Sequence, residues 1–189
     1  MNTTVKATNK EHLRLIIKHE IGLNGNQCDL NFIDVTSVKN MESLFYETNF
    51  NGNISSWDVS NIENMEFTFY FSHFNGNISK WNTANVEDMK CMFSSAKFDG
   101  DISKWDVSKV KDMDFMFYYS KFTKDLSAWR PFKLDKVDQI FDSCDAPIPY
   151  WYNFDNKKQR TMAINNYLLH DTLLEELDNK NPITKRLKI

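Results

Sequence analysis

Several things are scarce in this chain of 189 residues, and each scarcity closes off a class of protein. Cys28, Cys91 and Cys144 are an odd number of cysteines with no close pair and no CxxC, so no disulfide framework, zinc knuckle or redox motif is offered. Isolated cysteines of this kind usually act as small buried hydrophobes. No run of about 18 apolar residues exists for a membrane span. The opening MNTTVKATNKEHLRLIIKHE lacks the apolar core of a secretory signal. A cytoplasmic location is expected as written, and a surface or secreted one if a signal has been removed. The net charge of −3 argues against nucleic acid as a partner.

Catalytic signatures are also missing. His12, His19, His73 and His170 are scattered, and HExxH, GxSxG and the P-loop are absent. Asp99-Gly100-Asp101 superficially resembles part of a calcium loop, but Asn51, Asn53, Asn75 and Asn77 at the equivalent positions mark it as a turn. The expectation is a protein that is not an enzyme and has no cofactor and no metal site.

Aromatic residues, by contrast, are abundant, at 14% of the chain, and they keep a beat. Trp57, Trp81, Trp105 and Trp129 lie 24 residues apart, as do Met41, Met65, Met89 and Met113. Phe45, Phe69, Phe93, Phe117 and Phe141 form another such series, and Phe50, Phe74, Phe98 and Phe122 a fourth. A fixed period of this length is the mark of a repeat architecture. One unit cannot bury its own apolar side, so neighbouring units must stack, with the Trp, Met and Phe columns as core.

Within a unit, Ile54, Trp57 and Val59 have the L-x-x-L-x-L spacing that predicts a short strand around Trp57 to Val59. Ile62, Met65 and Phe69 are three and four apart, which predicts a short helix, with Ser60 and Glu63 as its capping box. Asn51-Gly52, Asn75-Gly76 and Asp99-Gly100 predict a turn using the tolerance of Gly for positive φ. Before the repeats, residues 8–23 read as a capping helix. Thr8 and Glu11 form its capping box, Leu13, Ile16, Ile17 and Ile21 its apolar side, and Gly22 its stop.

The rhythm decays after Phe122, where Lys124 replaces the turn Gly and Pro131 the strand Val. Pro147 and Pro149 then begin something new. The IPYWYNF stretch is expected to cross the open end, with Leu168, Leu174 and Leu177 packed beside it; the alternative is a docking arm. The basic tail NKNPITKRLKI is expected to be loose. The division is thus an N-terminal capping helix at 1–27, about five repeat units at 28–146, the last degenerate, and a C-terminal helical cap or docking segment at 147–189.

The units FNGNISSWDVSNIENMEFTF, FNGNISKWNTANVEDMKCMF and FDGDISKWDVSKVKDMDFMF resemble the BspA-like leucine-rich repeat family, whose core runs W-D-V-S-N-V-x-D-M-x-x-M-F. The resemblance covers roughly residues 28–142. It implies an α/β repeat solenoid, a leucine-rich-repeat-like stack of short parallel strands and short helices with helical caps at both ends. It also implies a role in binding other proteins. Many members are bacterial surface proteins or lipoproteins, and no common catalytic residues come with the family.

Two surfaces are candidates for that role. Alternation with Trp57 and Val59 inside turns Ser56, Asp58 and Ser60 outward, with Lys80, Asn82 and Ala84, then Lys104, Asp106 and Ser108, as their counterparts. Asp34 and Arg130 extend the middle column. Each Asp has an architectural role available as well, accepting bonds from nearby backbone. The second surface is aromatic: Tyr46, Tyr70 and Tyr118 share a column interrupted by Ser94, with Phe71 and Tyr119 next to it. The expected function is a noncatalytic protein-binding module presenting a rigid surface. The alternatives are an assembly component docking through its C-terminal helices, or an intracellular, phage-borne inhibitor of another protein.

Overall fold

The computed structural model describes residues 4–154 and 156–180. Of the basic tail expected to be loose, residues 179–189, Asn179 and Lys180 belong to the last turn of a helix, and the remainder from residue 181 lies outside the described residues. The regular elements are few: strand β1 (Val5–Lys6), helix α1 (Lys10–Asn24), strand β2 (Ile33–Asp34), a 3-10 turn at Tyr150–Asn153 and helix α2 (Lys157–Lys180). β1 and β2 pair in parallel, Val5 opposite Ile33 and Lys6 opposite Asp34. Turns, bends and isolated bridges make up the rest.

This corrects the expected fold class. No leucine-rich-repeat-like solenoid of strands and helices with helical caps at both ends is present: the described residues hold two helices and one two-stranded sheet. The reason lies in the backbone of residues 41–47 and their counterparts. Every second N–H there donates to the carbonyl 23 residues ahead: Met41 to Asn64, Ser43 to Glu66, Phe45 to Thr68 and Glu47 to Tyr70, at 2.8–3.0 Å. The intervening N–H groups of Leu44 and Tyr46 close turns onto Met41 and Ser43. The pattern recurs from Met65, Met89 and Met113.

To aim alternate N–H groups at the next unit, the chain turns left-handed every fourth residue. Ser43 and Glu47, Phe67 and Phe71, Cys91 and Ser95, Phe115 and Tyr119, and Gln139 and Ser143 all have φ between 49° and 58°. A helix needs right-handed φ throughout, so the 62–69 helix cannot form. Nor is there a strand at Trp57 to Val59, where Trp57 N–H bonds Ile54 and Ile62 N–H bonds Val59 to make two turns.

The side chains keep their expected sides even so. Trp57 and Val59 are buried while Ser56 and Asp58 are exposed, and the Met and Phe columns are hidden. Rings of successive units stack, Phe45 on Phe69 at 5.4 Å and Phe69 on Phe93 at 5.5 Å. Trp57, Trp81 and Trp105 stack at 6.4 and 6.3 Å. Each indole also donates to the unit before it: Trp57 Nε1 to Leu30 O (2.9 Å), Trp81 to Ile54 O and Trp105 to Ile78 O (both 3.1 Å). A buried Trp usually needs such a partner, and here it also ties two units together.

Two glycine expectations change. Gly52, Gly76 and Gly100 are not left-handed; a Cβ on Gly76 would lie 2.7 Å from Phe74 Cε2 and 3.2 Å from Gly52 O. Close approach, not positive φ, demands Gly there. At the N-terminus, Asn9 rather than Thr8 caps α1, its Oδ1 accepting from His12 N–H at 2.9 Å. Nor does Gly22 stop α1, which runs on to Asn24 and ends at Gly25, where φ is +79°.

At the other end, Trp151 is fully buried, stacks on Trp129 at 6.4 Å and donates to Leu126 O at 3.0 Å. Arg160 of α2 is 1% exposed. Its guanidinium donates to Trp151 O (3.2 Å), Leu134 O (2.7 Å) and Phe154 O. With Ile164, it anchors α2 to the last unit. Leu168, Leu174 and Leu177, expected to pack, are instead 39%, 48% and 60% exposed. α2 is a single helix whose described contacts with the end of the stack lie in its first half, among them Arg160, Ile164 and Tyr167, so its later turns run past the core they were expected to cover.

Candidate binding surfaces

The polar column is built from short side-chain-to-backbone turns. Oδ1 of Asp34, Asp58, Asn82 and Asp106 accepts the N–H two residues on, from Thr36 (2.9 Å), Ser60 (3.0 Å), Ala84 (3.2 Å) and Ser108 (2.9 Å). Hydrogen bonds from the Thr36 hydroxyl and N–H hold the Asp34 carboxyl below its ordinary value, and those from Ser60 do the same for Asp58. One oxygen per residue therefore shapes the turn. Ser56 N–H is taken by Asn31 Oδ1 at 2.8 Å, while Lys80 and Lys104 stand exposed.

Arg130 does not extend this column outward. Its Nη1 donates back to Ser127 O (2.7 Å) and Trp129 O (2.9 Å). Its guanidinium lies 5.9 Å from the Tyr150 ring and 5.0 Å from the Tyr167 ring, which stack on each other at 4.5 Å. Arg130 thus belongs to the seat of α2.

The aromatic surface consists of two clusters. Tyr46 (41% exposed) stacks on half-buried Tyr70 at 5.2 Å, and Phe67 and Phe71 meet Tyr70 edge-on at 5.4 and 4.8 Å. Two units along, Phe115 and Tyr119 meet Tyr118 edge-on at 5.5 and 4.5 Å. Between them lie the small residues Cys91, Ser94 and Ser95. Ser94 is buried, its Oγ donating to Tyr118 O at 3.2 Å. Phe71 and Tyr119 are 51% and 60% exposed, and both hold left-handed backbone that bulky side chains seldom adopt.

Sequence reasoning missed Phe67 and Phe115 as members of these clusters and Arg160 as an anchor. It also missed that Met162, Leu169, Leu173 and Leu177 form an outer stripe on α2, at 50–61% exposure, with Leu177 expected to pack instead. Their spacing of seven, four and four is helical and was there to be found; a lone Arg in a polar stretch carries no such signal.

Among the described residues, no group of three His, Cys, Asp or Glu side chains is placed to hold a metal ion. The three cysteines are free, and burial pushes the Cys91 thiol up to about 11. No helix of the described residues is long and apolar enough to cross a membrane. A concavity of about 500 Å³ beside α1 is lined by Arg14, Lys18, Ile17, Ile21, Phe45 and Tyr46 among others.

The recurring ladder, ring columns and indole bonds define a repeat protein. The chain belongs to the family described as Mycoplasma protein of unknown function, DUF285, whose model matches residues 19–97 and, in a second overlapping register, 49–156. No curated protein and no solved structure matches.

Proposed function

We propose that this chain is a noncatalytic protein-binding repeat protein whose aromatic surface is the recognition face. The carrying observation is the choice of residue at Phe71 and Tyr119. The ladder needs left-handed backbone at these positions, and Glu47, Ser95 and Ser143 meet that need elsewhere in the same column. Exposed Phe and Tyr serve neither the core nor the turn, and aromatic residues in a fixed setting are favoured anchors of protein interfaces. Stacking holds them in place beforehand, so little conformational entropy is lost on binding. The resemblance of the units to BspA-like repeats supports the same reading.

The test is Phe71→Ser combined with Tyr119→Ser, both borrowed from the column itself. Melting should be unchanged or slightly higher, while proteins cross-linked to the wild-type chain in its native source should be lost. Retention of the same partners by the variant would remove the aromatic face from the account. A second reading, assembly through the C-terminal helix, is favoured by the outer stripe of α2.

A further inference from the structure

We infer that the concavity between α1 and the first unit binds an extended, acidic peptide segment of a partner protein, which pairs with the ladder as a preceding unit would. A ladder this regular leaves a bare end. The carbonyls of Asn64, Glu66, Thr68 and Tyr70 accept from the unit before them, but their counterparts Asn40, Glu42, Leu44 and Tyr46 accept from no donor among the described residues. In the other direction, His73 N–H reaches Thr48 O at 3.0 Å, whereas its counterpart Asn49 N–H has no acceptor there. Unpaired backbone groups in a row are a template for another chain.

α1 stands where a preceding unit would, but does not fill its place. It crosses the row at Lys10, which pairs with Glu42 at 3.0 Å, and at Arg14, whose Nη2 donates to Ser43 O at 3.2 Å. Alongside these contacts lies the concavity of about 500 Å³, with Ile17 and Ile21 of α1 on one side and Leu44, Tyr46 and Asn49 on the other. That volume is usual for a ligand site. Within the stack, the segment in the equivalent place offers the N–H groups of Phe45 and Glu47 and the carbonyl of Thr48, in bonds of 2.9, 2.8 and 3.0 Å. A peptide in the concavity therefore donates to Leu44 O and Tyr46 O from residues two apart, and the next residue's carbonyl accepts from Asn49 N–H. This is strand addition to an open edge.

Charge selects an acidic segment. Arg14 and Lys18 line the concavity and no Asp or Glu does; Glu47 follows Tyr46 without lining it. Lys18 has no ion pair or side-chain hydrogen bond among the described residues, and Arg14 keeps N–H donors beyond the one on Ser43 O. Nucleic acid meets the same cations, but its backbone brings phosphate acceptors and no row of N–H donors for the two carbonyls. Tyr46 also belongs to the aromatic face, yet the inference goes beyond that reading and uses neither Phe71 nor Tyr119.

Amide NMR of the full chain, titrated with a short blocked peptide of alternating Glu and Val, tests the inference. Shifts are expected at Lys18, Ile21 and Asn49, and exchange of the Asn49 amide should slow as it gains an acceptor. N-methylating the peptide backbone, replacing its Glu by Lys, and Lys18→Glu in the protein should each weaken binding at least tenfold. Lys97→Glu, at an exposed lysine of another unit, should leave binding unchanged, and both variants should melt as wild type does. Four results overturn the inference: no shifts at about 1 mM peptide, or binding undiminished by N-methylation, by the Lys peptide or by Lys18→Glu. Shifts at Phe71 and Tyr119 in place of Asn49 also overturn it, and support the aromatic face instead. Shifts at Asn49 uphold it whether or not the aromatic face binds a partner.

Discussion

The stacked units and helix α2 are both rich in apolar side chains and treat them in opposite ways. Phe69, Trp81 and Phe98 are hidden because each stacks on its own counterpart one period away. Leu169, Leu173 and Leu177 have no counterpart in the chain's interior and stand at least half exposed. Repetition makes a unit complementary to itself, and stacking accounts for the Trp, Met and main Phe columns, leaving Tyr46, Phe71 and Tyr119 exposed beside them. Where repetition stops, apolar residues that remain exposed need a different explanation, and association is the one proposed.

The strongest way to break this contrast is inside the stack. Trp81→Ala removes contacts with Trp57 and Trp105 and the bond to Ile54 O, and should cost about 3–5 kcal/mol in urea unfolding. A loss below about 1 kcal/mol would mean that the tryptophan column is not core. Next comes the junction of the two regions. Arg160→Met strips three carbonyl acceptors of their donor and should cost about 2–4 kcal/mol, with early proteolysis of the C-terminal segment. Intact resistance to protease would show that α2 is held by other means.

A smaller pair compares glycine in the two settings. Gly76→Ala forces a Cβ against the Phe74 ring and should cost about 1–3 kcal/mol. Gly22→Ala, in α1 with nothing within 4 Å of its Cβ, should stabilise by about 0.5–1 kcal/mol. Thermal melts of both check the signs.

The smallest effect concerns charge. Burial, reinforced by nearby Asp112, pushes the Asp88 carboxyl above its ordinary value. The native state then binds the proton more tightly than the unfolded one, so the stability this carboxylate costs at neutral pH is recovered as the pH falls through the native value. Asn64 fills the same column and makes the same turn, Oδ1 accepting Glu66 N–H at 2.8 Å where Asp88 accepts Lys90 N–H at 2.9 Å. Asp88→Asn should therefore stabilise slightly at pH 7, with the gain vanishing in acid. A gain that persists below the unfolded carboxyl range would contradict the charge argument.

Much of this was legible in the amino-acid order, and the misses have identifiable causes. The period exposed the Trp, Met and Phe columns, and alternation placed Asp58 outside and Val59 inside. What misled was local geometry. The 3-and-4 spacing of Ile62, Met65 and Phe69 suits a helix, yet the same residues also line a chain that turns left-handed at Phe67 and Phe71, positions that no propensity assigns to aromatic residues. Gly52 stood in a familiar Asn-Gly pair, but its constraint comes from Phe50 and Cys28, which only packing reveals. Among candidate site residues, Tyr46, Phe71 and Tyr119 are exposed, whereas Arg130 folds back toward Tyr150 and Tyr167 because the stack ends there.

Residue-resolved hydrogen exchange tests the contrast most directly. The ladder amides of Met89, Cys91, Phe93 and Ser95, which donate to Asp112, Asp114, Met116 and Tyr118, should exchange only through unfolding of the whole stack. Amides of α2 from Leu168 to Leu177, beyond the contacts of Arg160, Ile164 and Tyr167, should exchange orders of magnitude faster. Ladder amides exchanging as fast as those of α2 would contradict the account, because the units would then not be joined by the bonds described.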